Sequence, residues 1–149
     1  MNFTAFWATL EALEKTIAIT APVALQVKRA YWGAPSQAVP DLPCVINALD
    51  ETERVIGFGS SREQIMRVSV QCLVAKATIE DTRSALSATA FWFAAKDVFD
   101  VTPTISGTVS WSTLQGASPT VPVIMTHGGI AYIGFNAVLD VQVVEAISV

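Results

Sequence analysis

From Met66 to Val74 the chain alternates, with Met66, Val68, Val70, Cys72 and Val74 set against Arg67, Ser69 and Gln71. Successive side chains of an extended backbone point to opposite faces, so this pattern demands a strand with one buried and one wet face. A strand wet on one side belongs to an antiparallel sheet covered on its other side. The rest of the chain must supply that cover.

Two segments have the periodicity to do so. From Asn2, a plausible cap, to about Ile19, the residues Phe3, Phe6, Trp7, Leu10, Leu13 and Ile17 recur at helical spacing, with Glu11, Glu14 and Lys15 off the stripe. Thr20, Ala21 and Pro22 end this helix. A second helix opens at Thr78 with Asp81 as its capping-box partner and runs to about Phe99. There Phe91, Trp92 and Phe93 sweep about 200° of helix surface, wider than the roughly 100° needed to cover one sheet. Phe93, continuing the Leu86 and Ala90 row, is expected in the core. Trp92 is expected to face a neighbouring subunit.

The remaining segments read as strands and turns. Val23 to Trp32 is extended, with Leu25, Val27 and Tyr31 on one face. Cys44 to Leu49 is a short strand, Asp50, Glu51 and Glu53 an acidic turn, and Arg54 to Phe58 another strand closed by Gly59, Ser60 and Ser61. After Pro103, Thr104 to Leu114 sets Ile105, Val109 and Trp111 against Ser106, Ser110 and Ser112. A strand through Val121, Val123 and Met125 meets a Gly128-Gly129 turn, and a long final strand carries Ile133, Phe135, Leu139, Val141 and Val143 on one face. The order predicts one α+β domain over residues 1–149, an antiparallel β-sheet with two α-helices packed on one face.

Composition narrows the function. Apolar residues make up 52% of the chain and charged residues 15%, with a mean hydropathy of +0.47. A solitary globule of that composition exposes much apolar area, so self-association is the first expectation. The net charge of -4 and nine scattered Lys and Arg residues offer no stripe for phosphates, which argues against specific nucleic-acid binding. The charge-free stretch from Val101 to Leu139 is interrupted by Pro103, Pro119, Pro122 and glycines, so no membrane partner is expected. With no basic leader region, the chain is expected in the cytoplasm of its cell.

Catalytic constellations are thin. His127 is the single histidine and reads as a turn residue; beside Gly128 and Gly129 it resembles part of an oxyanion-hole loop, but no GxSxG elbow accompanies it. Cys44 and Cys72 stand among apolar residues and read as buried thiols rather than nucleophiles or a disulfide. Asp50, Glu51 and Glu53 lack the spacing of a calcium loop, Glu80 and Asp81 suit a helix N-terminus, and Gly57 to Ser61 matches no phosphate-loop pattern. No enzyme activity, catalytic residue, metal or cofactor is expected.

The succession of elements resembles the tail terminator, or tail completion, proteins of long-tailed bacteriophages. The resemblance spans nearly the whole chain: the amphipathic first helix, the extended segment ending Tyr31-Trp32-Gly33-Ala34-Pro35, the strand entered by Leu42-Pro43-Cys44-Val45-Ile46, Arg67 to Val74, the alanine-rich second helix and the closing run Tyr132 to Val141. It implies a tail-terminator-like fold and a hexameric ring on the head-proximal end of the tail tube. That ring would stop tube polymerisation and dock the head, within the virion after assembly in the host cytoplasm. The implied partners are further copies of this chain, the tail tube protein and a head-completion or connector protein. Trp7, Trp32, Trp92 and Trp111 are the expected interface anchors, because buried aromatics dominate interface energies. Another neck component or a tube subunit fits the same features. From a different class, so does an oligomeric α+β protein holding a small apolar ligand between sheet and helices.

Overall fold

The computed structural model describes residues 1–35, 39, 41–58, 61–77, 82–118 and 120–146. The alternating segment lies within β5 (Ser61–Lys76), which runs between β4 (Cys44–Phe58) and β8 (Ile130–Ala146), antiparallel to both. Beyond β4, β3 (Arg29–Trp32) pairs parallel to its first residues, Arg29↔Cys44 to Trp32↔Asn47. The outer edge of β8 is shared: β6 (Trp111–Gly116) pairs with one end and β7 (Val123–His127) with the other. A small hairpin, β1 (Ala18–Ile19) with β2 (Leu25–Gln26), stands apart from this six-stranded sheet. Two helices, α1 (Phe3–Glu14) and α2 (Thr82–Val101), complete an α+β fold whose sheet is mostly antiparallel.

Both helices pack on one face. Phe6 and Leu10 of α1 and Ala88, Phe91, Ala95 and Phe99 of α2 meet Met66, Val68, Val70, Cys72 and Val74 of β5 and Phe135, Ala137, Leu139, Val141 and Val143 of β8. The alternation therefore places its apolar set where the sequence requires. On the other face a second cluster joins Cys44, Ile46, Leu73, Met125 and Tyr132 to Val39.

That second cluster depends on a curl. A register shift lies between Leu73 and Ala75 of β5, opposite Gly134, and such bulges bend a strand pair. A Cβ on Gly134 would sit 1.7 Å from the Cys72 carbonyl oxygen, so only glycine permits this approach. In register, Gln71 faces Asn136, six residues from the Ile130 that pairs with His127. On a straight strand that is about 20 Å. Yet His127 Nε2 lies 2.9 Å from Gln71 Oε1, because the β7–β8 hairpin folds back over the sheet. Its turn has positive φ at Gly128 and Gly129, 58° and 77°, the conformation that two-residue hairpins favour.

Several expected boundaries move. The Ala5 N–H donates to Asn2 Oδ1 at 3.1 Å, so the cap is as read, but α1 stops at Glu14 instead of Ile19. Thr16 and Ile17 N–H groups donate to Leu13 and Glu14 carbonyls in a tighter last turn, and the β-branched run then enters β1. The extended segment divides into β2 and β3, which puts Tyr31 in the second cluster and Val27 in the first. The acidic turn does not occur: β4 is continuous, with register shifts at Leu49/Glu51 and Glu51/Arg54 absorbing the extra residues. The Thr78-Asp81 capping box, the Glu80-Asp81 pair and the Gly59-Ser60 turn lie outside the described residues.

Two expected facings reverse. Phe91 is buried and Phe93, about 200° around the helix, is 64% exposed, so the inward row is Ala88-Phe91-Ala95-Phe99. Residues 102–110 form turns, with Ile105, Ser106 and Gly107 at positive φ, and β6 starts only at Trp111. Those turns change the phase: Ser112 and Leu114 point into the core and Trp111 points away, 53% exposed.

Candidate functional site

The four tryptophans fall into three environments. Trp7 of α1 and Trp32 of β3 meet edge-on at 5.5 Å between ring centroids, and Phe3 closes on Trp32 at 4.8 Å. Trp92 is half-buried and packs edge-on against Phe135 at 5.3 Å, with Gly116 beside its ring. These three therefore have partners within the subunit. Trp111 instead lines a shallow groove of about 260 Å³ on the outer sheet face with Ile65, Thr113, Asp140 and Gln142.

The groove is apolar in the middle and polar around it. Arg67 Nε donates to Asp140 Oδ1 at 3.1 Å, and Gln142 Nε2 donates to Glu63 Oε1 at 2.6 Å. Val144, 54% exposed, continues the outward row of β8 beyond Asp140 and Gln142. On the opposite side of the subunit α2 turns outward a second apolar row, Leu86 and Phe93, one helical heptad apart. One subunit thus presents two different apolar patches separated by the thickness of the domain.

The candidate catalytic residues are scattered. Cys44 and Cys72 are buried free thiols in the two clusters on opposite faces of the sheet. Burial, with the Asp41 carboxylate adding, pushes the Cys44 thiol up to about 12, and burial takes Cys72 well above its ordinary value. Such thiols are poor nucleophiles. His127 sits at the end of β7 against Gln71. Among the described residues no three His, Cys, Asp or Glu side chains come together in a way that suits a metal ion, and no helix is long and apolar enough to cross a membrane.

One charged residue stands out against its sequence reading. Glu14, placed off the apolar stripe, is completely buried. The row Phe6-Leu10-Glu14 steps by four, and the early end of α1 leaves its last member facing β4. Asn47 Nδ2 donates to Glu14 Oε1 at 2.7 Å and to the Tyr31 carbonyl at 3.2 Å. Glu14 Oε2 and Asn47 Oδ1 have no hydrogen-bond partner among the described residues. Burial, opposed by the Asn47 hydrogen bond, pushes the Glu14 carboxyl up from 4.5 to about 8. The four-residue spacing from Leu10 was the signal available for this position, and the charge of the glutamate concealed it.

The chain matches no protein-family model, and comparison with curated proteins found no match.

Proposed function

We propose that this chain is a structural, non-enzymatic subunit that closes with copies of itself into a ring, in the manner of a phage tail terminator. The ring caps the head-proximal end of a tail tube, ends its polymerisation and gives the head its docking surface. The carrying observation is the pair of unlike apolar patches on opposite sides of one subunit, Leu86 with Phe93 and Trp111 with Ile65. Ring closure is heterologous and needs two different, complementary patches on each copy. The ion pair and amide contacts beside Trp111 fit a polar rim around an apolar centre.

The position of Trp111 makes it the first anchor of this reading. Trp7, Trp32 and Trp92, half-buried with internal partners, contribute their remaining exposed edges. A small apolar ligand between sheet and helices is less well supported, since Phe6, Leu10, Phe91, Phe99 and Phe135 fill that space. The test is particle mass by light scattering with electron microscopy of the purified chain, followed by addition of tail tubes. The expected result is a six-fold ring with a lumen, or subunits that assemble on tube ends and stop their growth. A compact monomer or dimer that leaves tube growth unchanged would overturn the reading.

A further inference from the structure

Glu14 is the last helical residue of α1, and its side chain is the polar link between that helix end and the β3–β4 pair. The link is short of donors. Asn47 spends its side-chain amide on Glu14 Oε1 and the Tyr31 carbonyl, while Glu14 Oε2 and Asn47 Oδ1 remain two buried acceptors with no partner among the described residues. A proton on the carboxyl turns one of those acceptors into a donor and removes a buried charge, whereas an ionised carboxylate leaves an uncompensated one.

The surrounding field favours the same form. Glu14 lies at the negative end of the α1 dipole, where an anion is disfavoured. Glu11, one turn earlier on the same helix, adds negative charge, and Lys15 is occupied in solvent with Glu11 Oε1 at 3.4 Å. From β5 the group that couples to Glu14 is the Cys72 thiol, itself buried and neutral; from β4 the contact is the Asn47 amide, which also donates to the Tyr31 carbonyl of β3. None of these supplies a positive charge.

We propose that Glu14 and Asn47 form a proton-dependent latch that holds the C-terminal end of α1 on the β3–β4 pair and releases it when the carboxyl ionises. The latch does not depend on the ring reading. It lies on the core side of the sheet, and it gives the subunit a device by which alkaline conditions loosen one helix while the sheet stays intact.

The sign follows from linkage. The latched carboxyl titrates at about 8 against 4.5 for an ordinary carboxyl, so the latched state binds its proton more tightly than the open one. Latch stability is complete below about pH 4.5, falls as pH rises and is lost by about pH 8. Over that window the open-to-latched ratio grows about tenfold per pH unit.

Hydrogen exchange on the full chain tests this, comparing amides of residues 10–17 with those of β5 and β8 at about pH 6, 7 and 9 after correction for intrinsic rates. The expected result is a roughly tenfold rise per unit in α1 alone, levelling beyond about pH 8, and a flat profile for Glu14→Gln. A flat wild-type profile overturns the latch. So does an unchanged slope in Glu14→Gln, or a rise of the sheet amides in step with α1. Should that variant not fold, infrared titration of the wild type decides. A protonated-carboxyl band at about pH 6.5 that vanishes around pH 8, where α1 exchange levels off, supports the latch, and absence of the band overturns it.

Discussion

The outer face of the sheet is two regions built from the same two strands. At one end of β5 and β8 the outward residues Leu73 and Tyr132 are fully buried beneath the β7–β8 hairpin and Val39. At the other end the outward residues are Ile65, Arg67, Asp140, Gln142 and Val144, open to solvent beside Trp111. Helices cover the inner face along both. The difference shows that the alternation reports a wet face only where the sheet stays open. Where Cys72, Leu73 and Val74 run consecutively apolar, both faces are dry. The closed end rests on backbone curl and a buried tyrosine, and the open end on ion pairs and an exposed indole.

Substitutions should separate the two ends. Gly134→Val is expected to have the largest effect, because its Cβ meets backbone 1.7 Å away; the curl cannot form, and circular dichroism with denaturant titration should show loss of the native fold. Phe99→Ala, a control on the helix-covered face shared by both ends, should cost about 3–5 kcal/mol by urea unfolding. Tyr132→Phe removes the hydroxyl that accepts the Val39 N–H at 3.0 Å. It should cost about 1–3 kcal/mol, with faster exchange of that amide as the local readout. At the open end, Trp111→Ser should change subunit stability by no more than about 0.5 kcal/mol while abolishing self-association in light scattering. Asp140→Asn, which breaks the half-exposed pair with Arg67, should register at or below about 1 kcal/mol. A large stability loss from Trp111→Ser, or a small one from Tyr132→Phe, would erase the distinction between the ends.

Sequence legibility follows the same division. The inner row of β5 and that of β8 from Phe135 to Val143 are read correctly because each has one continuous apolar partner surface, and the period of two survives intact. The Asn2 cap is legible because its hydrogen bond is local. Phe93 and the strand phase at Trp111 are misread for a different reason. A turn of residues with positive φ shifts the phase before β6, and a run of three aromatics gives no local sign of which one faces inward. Glu14 is missed because its burial depends on Asn47, 33 residues away.

What the chain's letters determined by themselves is the inventory: two helices, a predominantly antiparallel sheet, an apolar surplus and buried thiols. Each follows from local periodicity or composition. Tertiary structure alone decided which end of the sheet is closed over, which tryptophan stays outside and which carboxyl is taken from water. The first turns on the bulge at Leu73/Ala75 and the close approach at Gly134, the second on the positive-φ turn before β6 and the third on the Glu14–Asn47 contact; in each, tertiary geometry overrides the preference of each side chain taken alone.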